Sequence, residues 1–151
     1  MEFVIPRHVT DEDGIVAELA SSVGFYVGDN WYVLGSHDYD YWGKCGYGSG
    51  VFKSPSREVS FAVGNVSRGD GYYVDDAEQY CFYVETGCIC VIPMEMIPAD
   101  VWEPAGGNGF GQFFPGATKA HFEWEDGKFW VRIDDDKEII INTNRRDGEE
   151  E

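Results

Sequence analysis

The chain has 151 residues, with 28 acidic against 11 basic side chains for a formal charge of −17, and is 43% hydrophobic and 16% aromatic. That length fits one domain, residues 1–151, around a single core, and that apolar content argues against disorder over most of it. The charge argues against direct contact with nucleic acid or anionic membrane; it suits a basic protein as partner, or equally serves solubility or adaptation to salt with no partner. No run of about 18 apolar residues is present. The N-terminal MEFVIPRHVTDED lacks the basic and apolar stretches of a secretory leader, so a cytoplasmic location is expected.

The first predicted element is a helix. Thr10 supplies a cap, Asp13 follows three residues later where a carboxylate answers it, and the acidic turn DED suits the helix dipole. Ile15, Val16, Leu19 and Val23 keep an i, i+4 stripe, and Gly24 marks the stop. Strands and turns follow. GFYVGDNWYVLG gives two short β-prone pieces around Gly28-Asp29-Asn30. CGYGSG is glycine-rich, but the VFKSPS behind it does not start the helix that a phosphate loop needs, so a turn is expected. EVSFAV alternates, with Val59, Phe61 and Val63 on one side.

GDGYYVDDAEQY reads as a turn and strand entry. Gly69 and Gly71 permit positive φ, Asp70 bonds backbone in the turn, and Tyr72 and Tyr73 point to opposite faces. Asp75, Asp76 and Glu78 are expected as solvated acids on the loop beyond. YCFYVETGCICVI predicts a hairpin turning at Thr86-Gly87. Residues 104–118, PAGGNGFGQFFPGAT, read as a glycine-rich loop whose phenylalanines fold back onto the core rather than expose a large apolar patch.

HFEWEDGKFWVRI gives the sharpest prediction. A two-residue type I′ turn at Asp126-Gly127 sets Glu125 opposite Lys128, Trp124 opposite Phe129, Glu123 opposite Trp130, Phe122 opposite Val131 and His121 opposite Arg132. One face is then wholly apolar, and the other carries Glu, Lys, His, Arg and one Trp. Ile139 to Ile141 add a strand, and a frayed acidic tail is expected over about 144–151. The predicted fold is mainly β, a sandwich or partly open barrel, with one N-terminal helix.

Cys45, Cys81, Cys88 and Cys90 are expected as small buried thiols in a reducing compartment. The one close pair is C-I-C with no local histidine, which is not zinc spacing. No nucleophile–base pattern, H-E-x-x-H or D-x-D-x-D-G calcium spacing is present. No catalytic residue, cofactor or metal is therefore expected.

Three segments carry a resemblance. VGDNWYVL, GDGYY and FYVETGCICVIPMEMIP are similar, in that order, to the G-D-x-x-Y, G-D-G-x-Y and V-[DE]-x-G-x-I-x-x-x-P elements of a family of small uncharacterised bacterial and phage proteins, over about residues 25–98. The resemblance implies a compact β-rich fold in a bacterial cell or phage-infected host and no established activity. Its acids are Asp29, Asp70 and Glu85, which pin turns or share a ligand site.

From Gly69 to Thr118 there is no Lys or Arg, yet eight acids occur. The expected function is that of a non-enzymatic acidic protein masking a basic, nucleic-acid-binding partner, as phage-type inhibitors, nucleic-acid mimics and immunity proteins do. Its docking residues would be Asp70, Tyr73, Asp75, Asp76, Glu78 and Trp130. A small-ligand or cation site made of Asp29, Asp70, Glu85, Phe110 and Phe113 is the second expectation, and a virion structural or assembly subunit the third.

Overall fold

The computed structural model describes residues 14–29, 49–53, 59–85, 87–97 and 111–144. The described residues form eleven strands in three sheets and one short 3₁₀ turn, Met94–Met96, with no closed barrel. A four-stranded antiparallel sheet runs in the order β1 (Ile15–Ala20), β9 (Lys119–Glu125), β10 (Lys128–Ile133), β11 (Lys137–Asn142). A five-stranded antiparallel sheet runs β3 (Gly50–Lys53), β4 (Ser60–Asn65), β7 (Cys88–Pro93), β2 (Gly24–Gly28), β8 (Gly111–Pro115). β5 (Gly71–Val74) and β6 (Cys81–Val84) make a separate two-stranded ribbon.

The β9–β10 hairpin has the predicted register at all five pairs. Asp126 (φ 48°) and Gly127 (φ 76°) both occupy the left-handed region that a type I′ turn requires. β11 extends the sheet, with Val131 opposite Ile139 and Phe129 opposite Ile141. The inner face of this sheet packs on the five-stranded sheet. Phe122, Trp124, Phe129 and Val131 share one core with Phe25, Val27, Ala62, Ile89 and Val91. Contact is close: a Cβ on Gly64 of β4 would lie 2.5 Å from both Trp124 and Phe129 ring atoms.

The five-stranded sheet is buried on its other face as well. Tyr26, Phe52, Phe61, Val63, Cys88, Cys90 and Ile92 form a second cluster, with Val59 packed against it. The predicted grouping of Val59, Phe61 and Val63 on one side is therefore present, and Ala62 between them faces the main core. The ribbon closes the side between the two sheets. Tyr73, Phe82 and Val84 enter the main core, Tyr80 packs on Phe114 of β8 at 5.7 Å, and the Asp76 N–H donates to Ile140 O of β11 at 2.8 Å.

Three predicted elements differ. Residues 15–20 are a strand, not a helix, and the described residues contain no α-helix. Ile15 and Leu19 lie four apart, and that spacing keeps two residues on one side of a strand as well as of a helix. Cross-strand partners decide between them: Ile15 meets Trp124, Ala17 meets Phe122 and Leu19 meets Ala120, while Val16 stays 70% exposed. Gly24 opens β2 rather than ending a helix. The proposed caps Thr10 and Asp13 lie outside the described residues, as do the second β-prone piece after Asn30 and the tail from 145.

The hairpin expected at Thr86-Gly87 does not form. β6 pairs with β5, whereas β7 pairs with β4 and β2. The reason is local: the Val66 N–H donates to Gly87 O and the Glu85 N–H donates to Asp29, so both ends of the connection are engaged by other strands. The phenylalanine loop is in its second half a strand, β8, with Phe114 buried and Phe113 stacked on Tyr26 at 4.9 Å.

Candidate functional site

Because β1, β9, β10 and β11 each alternate, the face opposite the core collects their outward side chains in rows. One row reads Glu18–His121–Arg132–Glu138 across the four strands. The adjacent row reads Val16–Glu123–Trp130–Ile140. Val16 is 70% and Ile140 39% exposed, unusual for aliphatic side chains on a sheet whose other face is a core. Trp130, half-buried, lies between Glu123 and Ile140.

The rows are tied by polar contacts centred on two rings. His121 Nδ1 bonds Glu18 Oε1, and its Nε2 lies 2.8 Å from Glu123 Oε2. A carboxylate oxygen at each ring nitrogen favours the doubly protonated, imidazolium form of the ring. Hydrogen bonds to Glu123 and then Glu18 accordingly raise its pKa above the usual histidine range, against the opposing effect of burial. The Trp130 Nε1–H donates to Glu138 Oε2 at 2.9 Å, the Arg132 guanidinium sits 4.8 Å from the Trp130 ring centroid, and His121 meets that ring edge-on at 5.2 Å. The geometry is a held aromatic platform in a field of carboxylates, suited to recognition.

Beside β11 lies the loop that follows β5. Asp75 is buried there, 2% exposed, and not solvated as expected. Its Oδ1 accepts the Gln79 and Tyr80 N–H groups at 2.8 and 2.7 Å, and its backbone carbonyl accepts Glu78 N–H. A short carboxylate that folds its own following turn is sequestered by that work. Its Oδ2 has no hydrogen-bond partner among the described residues. Asp76 and Glu78 are exposed, and Asp76 is bonded through its backbone to Ile140, the cross-strand neighbour of Trp130.

Tyr73 is likewise corrected: it is 1% exposed, and its hydroxyl donates to Gly69 O, while Tyr72 is the outward residue at 54%. Strand alternation is as predicted, but the docking role assigned to Tyr73 falls on the wrong face. Asp70 is exposed on the bend. Of the expected docking residues, Asp70, Asp76 and Glu78 are exposed and Trp130 is half-buried, and the Asp76 backbone is tied to the strand beside Trp130.

The second expected site is partly assembled. Continuing the β5–β6 register by one residue sets Asp70 opposite Glu85. Asp29 is 1% exposed, and its Oδ2 accepts the Glu85 N–H at 2.7 Å, which is the turn-pinning role. Phe113 lies on the Tyr26 side, and Phe110 is outside the described residues. Among the described residues no three His, Cys, Asp or Glu side chains group as a metal site. Cys81, Cys88 and Cys90 are thiols rather than disulfide halves. Cys88 and Cys90 are buried with sulfurs 3.7 Å apart, and burial pushes the Cys90 thiol well above its usual range. Cys81 is exposed, against expectation, because it occupies the outward position on β6. Cys45 is outside the described residues.

Glu18 and Val16 were hidden from sequence reasoning by the helix prediction for β1. His121, Glu123 and Arg132 stood on the predicted polar side of the hairpin but carried no motif to single them out. No protein-family model, curated protein or solved structure matches this chain. Among the described residues no helix is long and apolar enough to cross a membrane.

Proposed function

We propose that this chain is a non-enzymatic acidic binding protein that masks a basic surface of a partner protein, docking through the outer face of the four-stranded sheet and the adjoining loop at Asp76 and Glu78. One observation carries the reading. The row Val16–Glu123–Trp130–Ile140 sets exposed Val16 and Ile140 and half-buried Trp130 among the carboxylates of Glu18, Glu123 and Glu138 on the outer face of the sheet. An aromatic anchor with aliphatic side chains set among charged ones suits a protein-docking patch. The −17 total adds long-range steering toward a positive, nucleic-acid-binding partner in a bacterial or phage-infected cell.

The test uses the partner captured from the source organism by wild type and not by Trp130→Ala. Its association rate should fall steeply between about 0.05 and 0.5 M salt, because the Debye length shrinks several-fold. Asp76→Lys with Glu78→Lys should slow association more than it speeds dissociation. Rates unchanged by salt and by the double variant sink the proposal.

The ligand-site reading has one observation in its favour, the hydrogen bond that ties the buried Asp29 carboxylate to the Glu85 N–H. It predicts binding of a small molecule or cation that Asp29→Asn abolishes and salt leaves unchanged. A virion assembly subunit would instead self-associate through the sheet face, which sedimentation at rising concentration detects.

A further inference from the structure

The outer face of the four-stranded sheet holds two open troughs that meet at Trp130 and Glu123. Arg132 lines the first and not the second. The second, of about 660 Å³, runs past Val16, Trp130 and Ile140 and ends at Glu125, Asp126 and Lys128. We propose that this second trough takes a lysine or arginine side chain of the partner, its aliphatic stem lying among Val16, Trp130 and Ile140 and its cationic head at Glu125 and Asp126. The inference rests on the docking reading and gives it an anchor.

Three features select this occupant. Ile140 beside Trp130, and Val16 beyond Glu123 in the same row, present hydrocarbon to water, which a long aliphatic stem covers in part while its head stays wet. The ring already receives one cation, Arg132, from the side of the first trough. The Glu138 carboxylate accepts the indole N–H and holds the ring in place as the wall along which the stem lies.

The third feature is charge. Glu123, Glu125 and Asp126 line the trough against Lys128 as its one basic residue. Glu123 is occupied by His121, whereas the Glu125 and Asp126 carboxylates make no ion pair among the described residues. Lys128 stands opposite Glu125 in the register and offsets part of that charge. A cationic head therefore completes the site, and an acidic or neutral side chain leaves both carboxylates unmet.

The probe is a short acetylated peptide of alternating lysine and glycine, titrated into the full chain and followed by the Trp130 indole N–H and the Val16 and Ile140 methyl resonances. Norleucine and glutamate versions of the peptide are titrated in parallel. The lysine peptide should shift these signals to saturation, the norleucine peptide should bind more weakly, and the glutamate peptide should leave them unmoved. Trp130→Ala should weaken binding on the order of 10-fold, and Trp130→Phe should restore most of it. If the lysine peptide binds but its shifts fall on Asp76 and Glu78 alone, the inference is overturned and the docking reading stands. Equal binding of the norleucine peptide also overturns it. Failure of the docking reading itself shows separately, as association with the captured partner that ignores salt.

Discussion

Trp124 and Trp130 stand on neighbouring strands of one sheet, one step apart in register, and do opposite work. Trp124 is 1% exposed and its indole N–H donates to the Asn65 carbonyl of the other sheet at 3.0 Å. Trp130 points outward, and its N–H is met by the carboxylate of Glu138, a residue of its own sheet. The first ring joins two layers; the second is arranged against charged neighbours on the outer face of the sheet. Strand parity thus puts the same side chain in the core or on the outer face, so the core should respond to volume and the outer face to charge.

The largest effect expected is on the inner side. Trp124→Ala should cost about 3–5 kcal/mol in denaturant unfolding, the usual range for a core aromatic, whereas Trp130→Ala should cost under about 1 kcal/mol. Equal losses would erase the distinction between the faces. Adding volume rather than removing it is the second test. Gly64→Ala drives a methyl within 2.5 Å of both Trp124 and Phe129, and should cost about 1–3 kcal/mol through overpacking. A neutral result would mean that the layers part more easily than their packing implies.

The third compares acids on one loop. Asp75→Ala removes the acceptor of two backbone N–H groups and should cost about 1–2 kcal/mol. Asp76→Lys and Glu78→Lys, both exposed, should each change stability by under about 0.5 kcal/mol and act on association instead. Thermal melts of the three variants separate turn-builder from rim.

The smallest effect is a pH dependence. The His121 pKa is raised in the folded chain, so its contribution is complete below the unfolded value of about 6.5 and fades as pH rises through the folded one. Glu18 is 70% exposed, and solvent screening holds the contribution under about 1 kcal/mol. Across the same window the outer face loses one positive charge. Stability should therefore fall slightly while affinity for a basic partner rises, and His121→Gln should flatten both curves.

How much of this was legible follows from which interactions are local. The β9–β10 pairing was readable because a type I′ turn fixes register within a few residues, and the apolar alternation of Phe122, Trp124, Phe129 and Val131 agrees with it. β1 was not readable, because its spacing of four fits both periods and its partner lies a hundred residues away. β6 and β7 were misjoined for a similar reason. Proximity in sequence suggested a hairpin, while Asp29, more than fifty residues upstream, takes the Glu85 amide. At the candidate site, Trp130 and its place opposite Glu123 could be read from the hairpin. The exposed partners Val16 and Ile140 arrive from strands whose positions depend on distant pairing.

β7 shows what full enclosure does to time as well as to energy. All six of its residues are buried, and it lies between two paired neighbours with apolar clusters on both faces. Its amide hydrogens should exchange with solvent only through opening of the whole packed core. The β5–β6 ribbon has two strands and one outward face, so its amides exchange through smaller openings. Deuterium uptake would therefore sweep the molecule from the ribbon inward and reach Ile89 to Ile92 last.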